Sequence, residues 1–177
     1  MSIENLRSAL PSYAKDMNLN LSAMTRLGSL TEQQLWGSLL ATAAATKVDT
    51  VLVETLEEAK QHLSETAVEA ALGAATIMGM NNVFYRTRGF LEPEYDDQRA
   101  GLRMQIIGKN GGVEKLDFEM YALAVSAVNG CSHCVAAHEH TLREEGATKE
   151  QVNDLIRIAA TMAGVAQGIQ IAEALAA

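Results

Sequence analysis

Ile3, Leu6, Ala9 and Leu10 recur at helical spacing near the start of the chain, until Pro11 interrupts them. From Thr31, the stretch TEQQLWGSLLATAAAT opens with Thr31 and Gln34 in capping-box spacing. It then stays apolar on nearly every side, the pattern of a buried helix. SETAVEAALGAATIMGMNNVFYR (64–86) predicts another long helix, and three more follow. These are LDFEMYALAVSAVNG (116–130), SHCVAAHEHTLREEG (132–146) and TKEQVNDLIRIAATMAGVAQGIQIAEALAA (148–177). Gly130 breaks the first of the three, and Gly146 stands where a C′ glycine ends the second. Thr148 and Gln151 repeat the capping-box spacing at the start of the third. Between Thr87 and Lys115, Gly89, Pro93, Gly101, Gly108, Gly111 and Gly112 predict connecting structure with room for a short helix. Aromatic residues make up only 5% of the chain and prolines number 2, while Ala, Leu and Met abound, a mixture that favours helix over strand. The fold class that follows is all-α.

The pattern repeats at an offset of 85 residues. Trp36 falls on Tyr121, Glu54 on Glu139 and Glu65 on Glu150, and AATIMG (74–79) falls on AATMAG (159–164). We read two homologous helical lobes, 31–86 and 116–177, packed into one domain spanning 1–177, because one such helix group cannot bury its apolar faces alone. The repeat is also an internal control. Thr46, Asp49 and Val53 occupy the first-lobe positions of Cys131, Cys134 and His138. If both lobes fold alike, the fold does not need the thiols or the imidazole at these positions, which points the second lobe towards chemistry.

With 177 residues, 48% of them hydrophobic, the chain can build a core without disulfide staples. A net charge of −8 and the lack of basic clusters argue against nucleic acid or an anionic membrane surface as a partner. No unbroken apolar run reaches the ~18 residues of a membrane span. The opening MSIENLRSALPSYAKD has neither the basic nor the apolar region of a secretory signal, and the two cysteines form no secreted-type framework. The expectation is a cytoplasmic protein.

Both cysteines and three of the four histidines fall within NGCSHCVAAHEH (129–140). Cys131 and Cys134 stand at i, i+3 at a helix start, where a disulfide is within reach and the helix dipole favours a thiolate. His138 lies one turn beyond Cys134 on the same face, able to accept a thiol proton. His133 points elsewhere but can polarise Cys131 or a water. Glu119, twelve residues before Cys131, can return to the dithiol if the two helices run antiparallel. On the apolar stretch FEMYALAVSAV it is either on the wet face or buried for a reason.

Other readings of these residues exist. Buried cysteines can serve as small hydrophobes. Zinc could take Cys131, Cys134, His138 and either His133 or Glu119 as ligands, although a structural site usually joins two separate segments. Covalent haem is excluded because Val135 follows Cys134. His62 and His140 read as solvated, Glu144 and Glu145 as exposed helix charges, and Met78, Met80, Met120 and Met162 as core filler.

Glu119, eleven intervening residues, Cys131-Ser132-His133-Cys134 and then His138 reproduce the E-x₁₁-C-x-H-C-x₃-H signature of the alkylhydroperoxidase D family. The chain resembles that family along nearly its whole length, as in LWGSLLATAAAT, AALGAATIMGMNNVFYR, GLRMQII and VSAVNGCSHCVAAHEHTLRE. The resemblance implies an all-helical, cytoplasmic, homotrimeric peroxidase that reduces alkyl hydroperoxides and hydrogen peroxide. It implies recycling by dihydrolipoamide carried on a 2-oxoacid dehydrogenase acyltransferase, with no tightly bound cofactor, and service to a partner peroxiredoxin, alkylhydroperoxide reductase C (AhpC). It makes Cys134 the thiol that becomes a sulfenic acid and Cys131 the proton donor and resolving thiol that closes the Cys131–Cys134 disulfide. Glu119, His133 and His138 are implied in a proton relay.

One conclusion needs no family: with no further cysteine in the chain, the disulfide must be reduced by an external agent. The helix dipole alone favours Cys131 as the lower-pKa thiol, which leaves the order of attack open. The alternatives are a carboxymuconolactone-decarboxylase-like enzyme, which needs no dithiol, and a non-catalytic, zinc-stabilised oligomeric module.

Overall fold

A computed structural model describes residues 2–176; Met1 and Ala177, the ends of the predicted 1–177 domain, lie outside the described residues. Among the described residues the elements are all helical. They are α1 (Ile3–Ala9), α2 (Lys15–Met24), α3 (Glu32–Ala45), α4 (Asp49–Ala59), α5 (Glu65–Gly89), α6 (Gln105–Gly108), α7 (Lys115–Val128), α8 (Ser132–Glu144) and α9 (Lys149–Ala176). Single 3-10 turns precede α2 and follow α6.

The helix starts are fixed by the capping residues in the sequence. Thr31 and Gln34 exchange side-chain-to-backbone bonds at the head of α3, and Thr148 and Gln151 do the same at α9. Ser64 caps α5 through the Ala67 N–H. Gly146, at φ +89°, ends α8 in a Schellman motif: its N–H bonds the Arg143 carbonyl and the next N–H bonds that of Leu142. The hydrophobic pattern does not announce α2 or α4. Each buries little: Leu21 and Met24 from α2, and Val51, Thr55 and Ala59 from α4.

The core forms where α3 and α7 cross, with α5 against both and α9 against α3 and α7. Leu35, Trp36, Leu39, Leu40, Phe118, Met120, Tyr121, Leu123, Leu155, Ile158 and Met162 are all buried there. The crossing is close because Gly37 has no side chain. A Cβ on it would stand 2.2 Å from the Tyr121 ring. Tyr121 donates its hydroxyl hydrogen to the Gln33 carbonyl at 3.0 Å. Burial, with the Asp117 carboxylate nearby, pushes this phenol well above its ordinary range. Asp117 in turn accepts from Gln33 and Gln34 at 2.6 and 2.8 Å, so the α3–α7 contact is both packed and hydrogen-bonded.

His62 is solvated only in part: 27% of its side chain stays exposed, while its ring stacks on Trp36 with centroids 4.3 Å apart and its Nδ1 lies 2.7 Å from Glu32. Trp36 offers a flat apolar face at the surface that an imidazole covers. No unbroken apolar run is long enough to span a membrane, as expected from the sequence, although α9 reaches a mean hydropathy of 1.3 in its most apolar window. Half of that window is buried within the fold, where Leu155, Ile158, Met162, Val165 and Ile169 face the core.

Advancing α3–α5 by 85 residues gives 117–130, 134–144 and 150–174, within two residues at every boundary of α7, α8 and α9. This coincidence supports the proposal of two homologous lobes.

Candidate active site

The site is built where α7 hands over to α8. At the end of α7, Gly130 adopts φ +67° and donates its N–H to the Ala127 carbonyl, while the Cys131 N–H bonds the Ser126 carbonyl. These are the two bonds of a Schellman motif, which needs a residue without a Cβ penalty at the Gly130 position. The next residue begins α8. Cys131 is its N-cap, and its Sγ accepts from the Cys134 N–H at 3.3 Å. One residue therefore both closes one helix and opens the next. An amide network locks this turn to α5. Asn82 donates to Ser126 at 2.9 Å, Asn129 donates to Asn82 at 2.9 Å, and Arg86 donates to the Asn129 carbonyl.

Cys131 and Cys134 are joined by a disulfide, their Cα atoms 5.3 Å apart. In this state neither sulfur offers a thiolate to a metal. The two cysteines differ in surroundings. Cys131 is fully buried, whereas Cys134 lines a cleft of roughly 340 Å³ together with His133 and His138. The cleft is otherwise walled by Met78, Asn81 and Tyr85 of α5 and by Met104 and Ile107, contributed by the connecting segment around α6.

Glu119 resolves to the buried alternative, 8% exposed within the core-facing run of α7. Its carboxylate accepts from His138 Nδ1 at 2.7 Å, which meets the cost of burying it. His138 Nε2 lies 3.3 Å from the Sδ of Met78. A thioether only accepts, so this contact is a hydrogen bond when Nε2 carries a proton. Both bonds are made together when the ring is an imidazolium facing the Glu119 carboxylate. The pair is therefore able to hold a proton beside the cleft.

His133 is exposed, and its ring lies 5.9 Å from that of Tyr85 at an interplanar angle of 16°. The fold thus gathers Cys134, His133 and His138 on one cleft, with Glu119 behind His138 and Cys131 bonded to Cys134. His140 stays exposed, Glu145 pairs with Lys115, and Glu144 projects to solvent. Sequence reasoning took Met78 for filler; it is buried, but its sulfur reaches His138. It also passed over Asn81. Two adjacent amides in the apolar run GMNNVFY were the available signal.

The model of the carboxymuconolactone decarboxylase family matches residues 93–177, the part of the chain that holds the dithiol and its carboxylate. An alkyl hydroperoxide reductase AhpD of Nocardia farcinica is 62% identical over 177 residues, covering 100% of this chain and 98% of the relative. The protein of that name from Rhodococcus erythropolis is 60% identical over the same 177 residues. That of Mycobacterium tuberculosis is 58% identical over 175 residues, 99% of this chain and 98% of its own. With likeness of that degree running the length of both partners, the chain belongs to the AhpD family.

Proposed function

We propose that this protein is an alkyl hydroperoxide reductase that works through the Cys131/Cys134 dithiol. The carrying observation is the placement of one sulfur of a disulfide, that of Cys134, on a largely apolar cleft with two histidines. The names of its full-length relatives support the same activity.

In this reading the Cys134 thiolate attacks the terminal oxygen of a hydroperoxide and the O–O bond breaks. Sulfur becomes a sulfenic acid, and the alkoxide leaves as an alcohol after taking a proton. That proton comes from Cys131 or from the His138–Glu119 pair. Cys131 then attacks the sulfenic sulfur, expelling water and forming the disulfide. The peroxide has gained two electrons and the dithiol has lost two. An external dithiol returns them by exchange, and the N-cap position of Cys131 favours it as the leaving thiolate. We assign that role to dihydrolipoamide borne on an acyltransferase, with a peroxiredoxin of the AhpC type as a further acceptor of electrons. His133, exposed beside Tyr85, completes the relay to solvent. The cycle suits a reducing, cytoplasmic setting. A homotrimer fits the exposed apolar side chains of Val83, Leu91 and Tyr95, which neighbouring copies would cover.

The test is peroxide-dependent oxidation of dihydrolipoamide by the purified protein, with Cys131→Ser and Cys134→Ser in parallel. Turnover that both substitutions abolish is the expected result. Turnover surviving in Cys134→Ser, or absent from the wild type, would remove the proposal.

A further inference from the structure

Asn81 is 5% exposed, and its amide is only half used. Nδ2 faces the Sδ of Met104 at 3.6 Å, a weak acceptor, while Oδ1 is buried with no hydrogen-bond partner. A buried amide oxygen left unpaired destabilises the fold, and native proteins seldom carry one without a use. Ser38 and Thr55 also have unpartnered buried hydroxyls, but neither lines the cleft. Asn81 does, on the same wall as Met78 and opposite the helix that bears Cys134 and His138.

Resting on the peroxidase reading, we infer that Asn81 is a substrate-binding residue that holds the hydroperoxide group. A hydroperoxide has one O–H donor, on the oxygen that the thiolate attacks. Asn81 lines the cleft where that oxygen must arrive, and its carbonyl, covered in the disulfide form, is an acceptor without a donor. Accepting the O–H hydrogen fixes the terminal oxygen and leaves its neighbour, the departing alkoxide, to face the proton held by His138 and Glu119. No proton moves to Asn81 and no bond breaks there; the hydrogen stays on the oxygen transferred to sulfur. Met78, Met104 and Ile107 then receive the alkyl group. Because Asn81 binds the O–O–H unit rather than the tail, its contribution is the same for hydrogen peroxide and for an alkyl hydroperoxide.

The experiment separates the two half-reactions in Asn81→Leu, a change that removes the amide at nearly constant shape. Loss of an unpaired polar group to an apolar one of similar shape leaves folding intact or improves it. Stopped-flow oxidation of the reduced variant by tert-butyl hydroperoxide and by hydrogen peroxide is expected to slow about tenfold for both. Reduction of the preformed disulfide by dihydrolipoamide is expected to keep its wild-type rate. Asn81→Ala, read the same way, serves if the leucine variant does not fold. Unchanged peroxide oxidation, or equal loss in both half-reactions, overturns the assignment of Asn81 and leaves the peroxidase standing. A wild-type dithiol that no hydroperoxide oxidises takes both down.

Discussion

Glu119 and His138 make one buried contact that bears on stability and, in the proposed cycle, on chemistry. A carboxylate on the core-facing run of α7 would be costly unpaired, and His138 meets it at 2.7 Å. Glu119→Gln keeps a hydrogen-bonding group there but removes the carboxylate that faces His138, so in the proposed cycle the pair no longer supplies the proton to the leaving group. We expect Glu119→Gln and His138→Phe each to slow peroxide oxidation of the reduced protein by roughly 10²-fold, the usual worth of a positioned acid–base group. Stopped-flow thiol loss measures this, and wild-type rates in either variant would exclude the pair from the relay. His138 could be placed from sequence because one helical turn separates it from Cys134. The burial of Glu119 could not, since it depends on how α7 and α8 cross. The same limit applies to His62, whose stacking partner Trp36 is 26 residues away in the chain.

At the level of elements, the dithiol depends on a turn that depends on the α3–α7 crossing. Gly37 lets Tyr121 lie across α3, and α7 then delivers Gly130 and Cys131 to the start of α8. Gly37→Ala puts a Cβ 2.2 Å from the Tyr121 ring, in a contact closed on the other side by the Gln33 bond. The expected cost is about 1–3 kcal/mol, the range for overpacking a well-filled core. Thermal unfolding should register it as a lower Tm, and an unchanged Tm would show that the crossing has slack. The helix ends were legible in advance because their signals are local: Thr31 with Gln34, Thr148 with Gln151, and the glycines at 130 and 146 each act within a few residues. α2 and α4 escaped because they lie on the outside of the core and bury only two and three residues, too few to impose a pattern.

Across the whole molecule, the two halves share helix order and length, yet only the second carries the thiols, the imidazole and the buried carboxylate. Thr46, Asp49 and Val53 stand at the corresponding places of the first. The sequence motif therefore marked the half in which chemistry is to be sought, and the five motif residues lie within one assembly there. The cleft itself was not legible. Its walls come from α5 and from the connecting segment around α6, brought against α8 by packing, and Asn81 enters it by the same route. The central claim is that Cys134 takes the peroxide oxygen and Cys131 resolves it. The most direct test mixes reduced protein with one equivalent of tert-butyl hydroperoxide and follows both thiols and protein mass. The account predicts loss of both thiols in the wild type, and in Cys131→Ser a single added oxygen on Cys134 that dimedone traps. Thiols that survive the peroxide, or an oxygen found on Cys131 in Cys134→Ser at the wild-type rate, would contradict it.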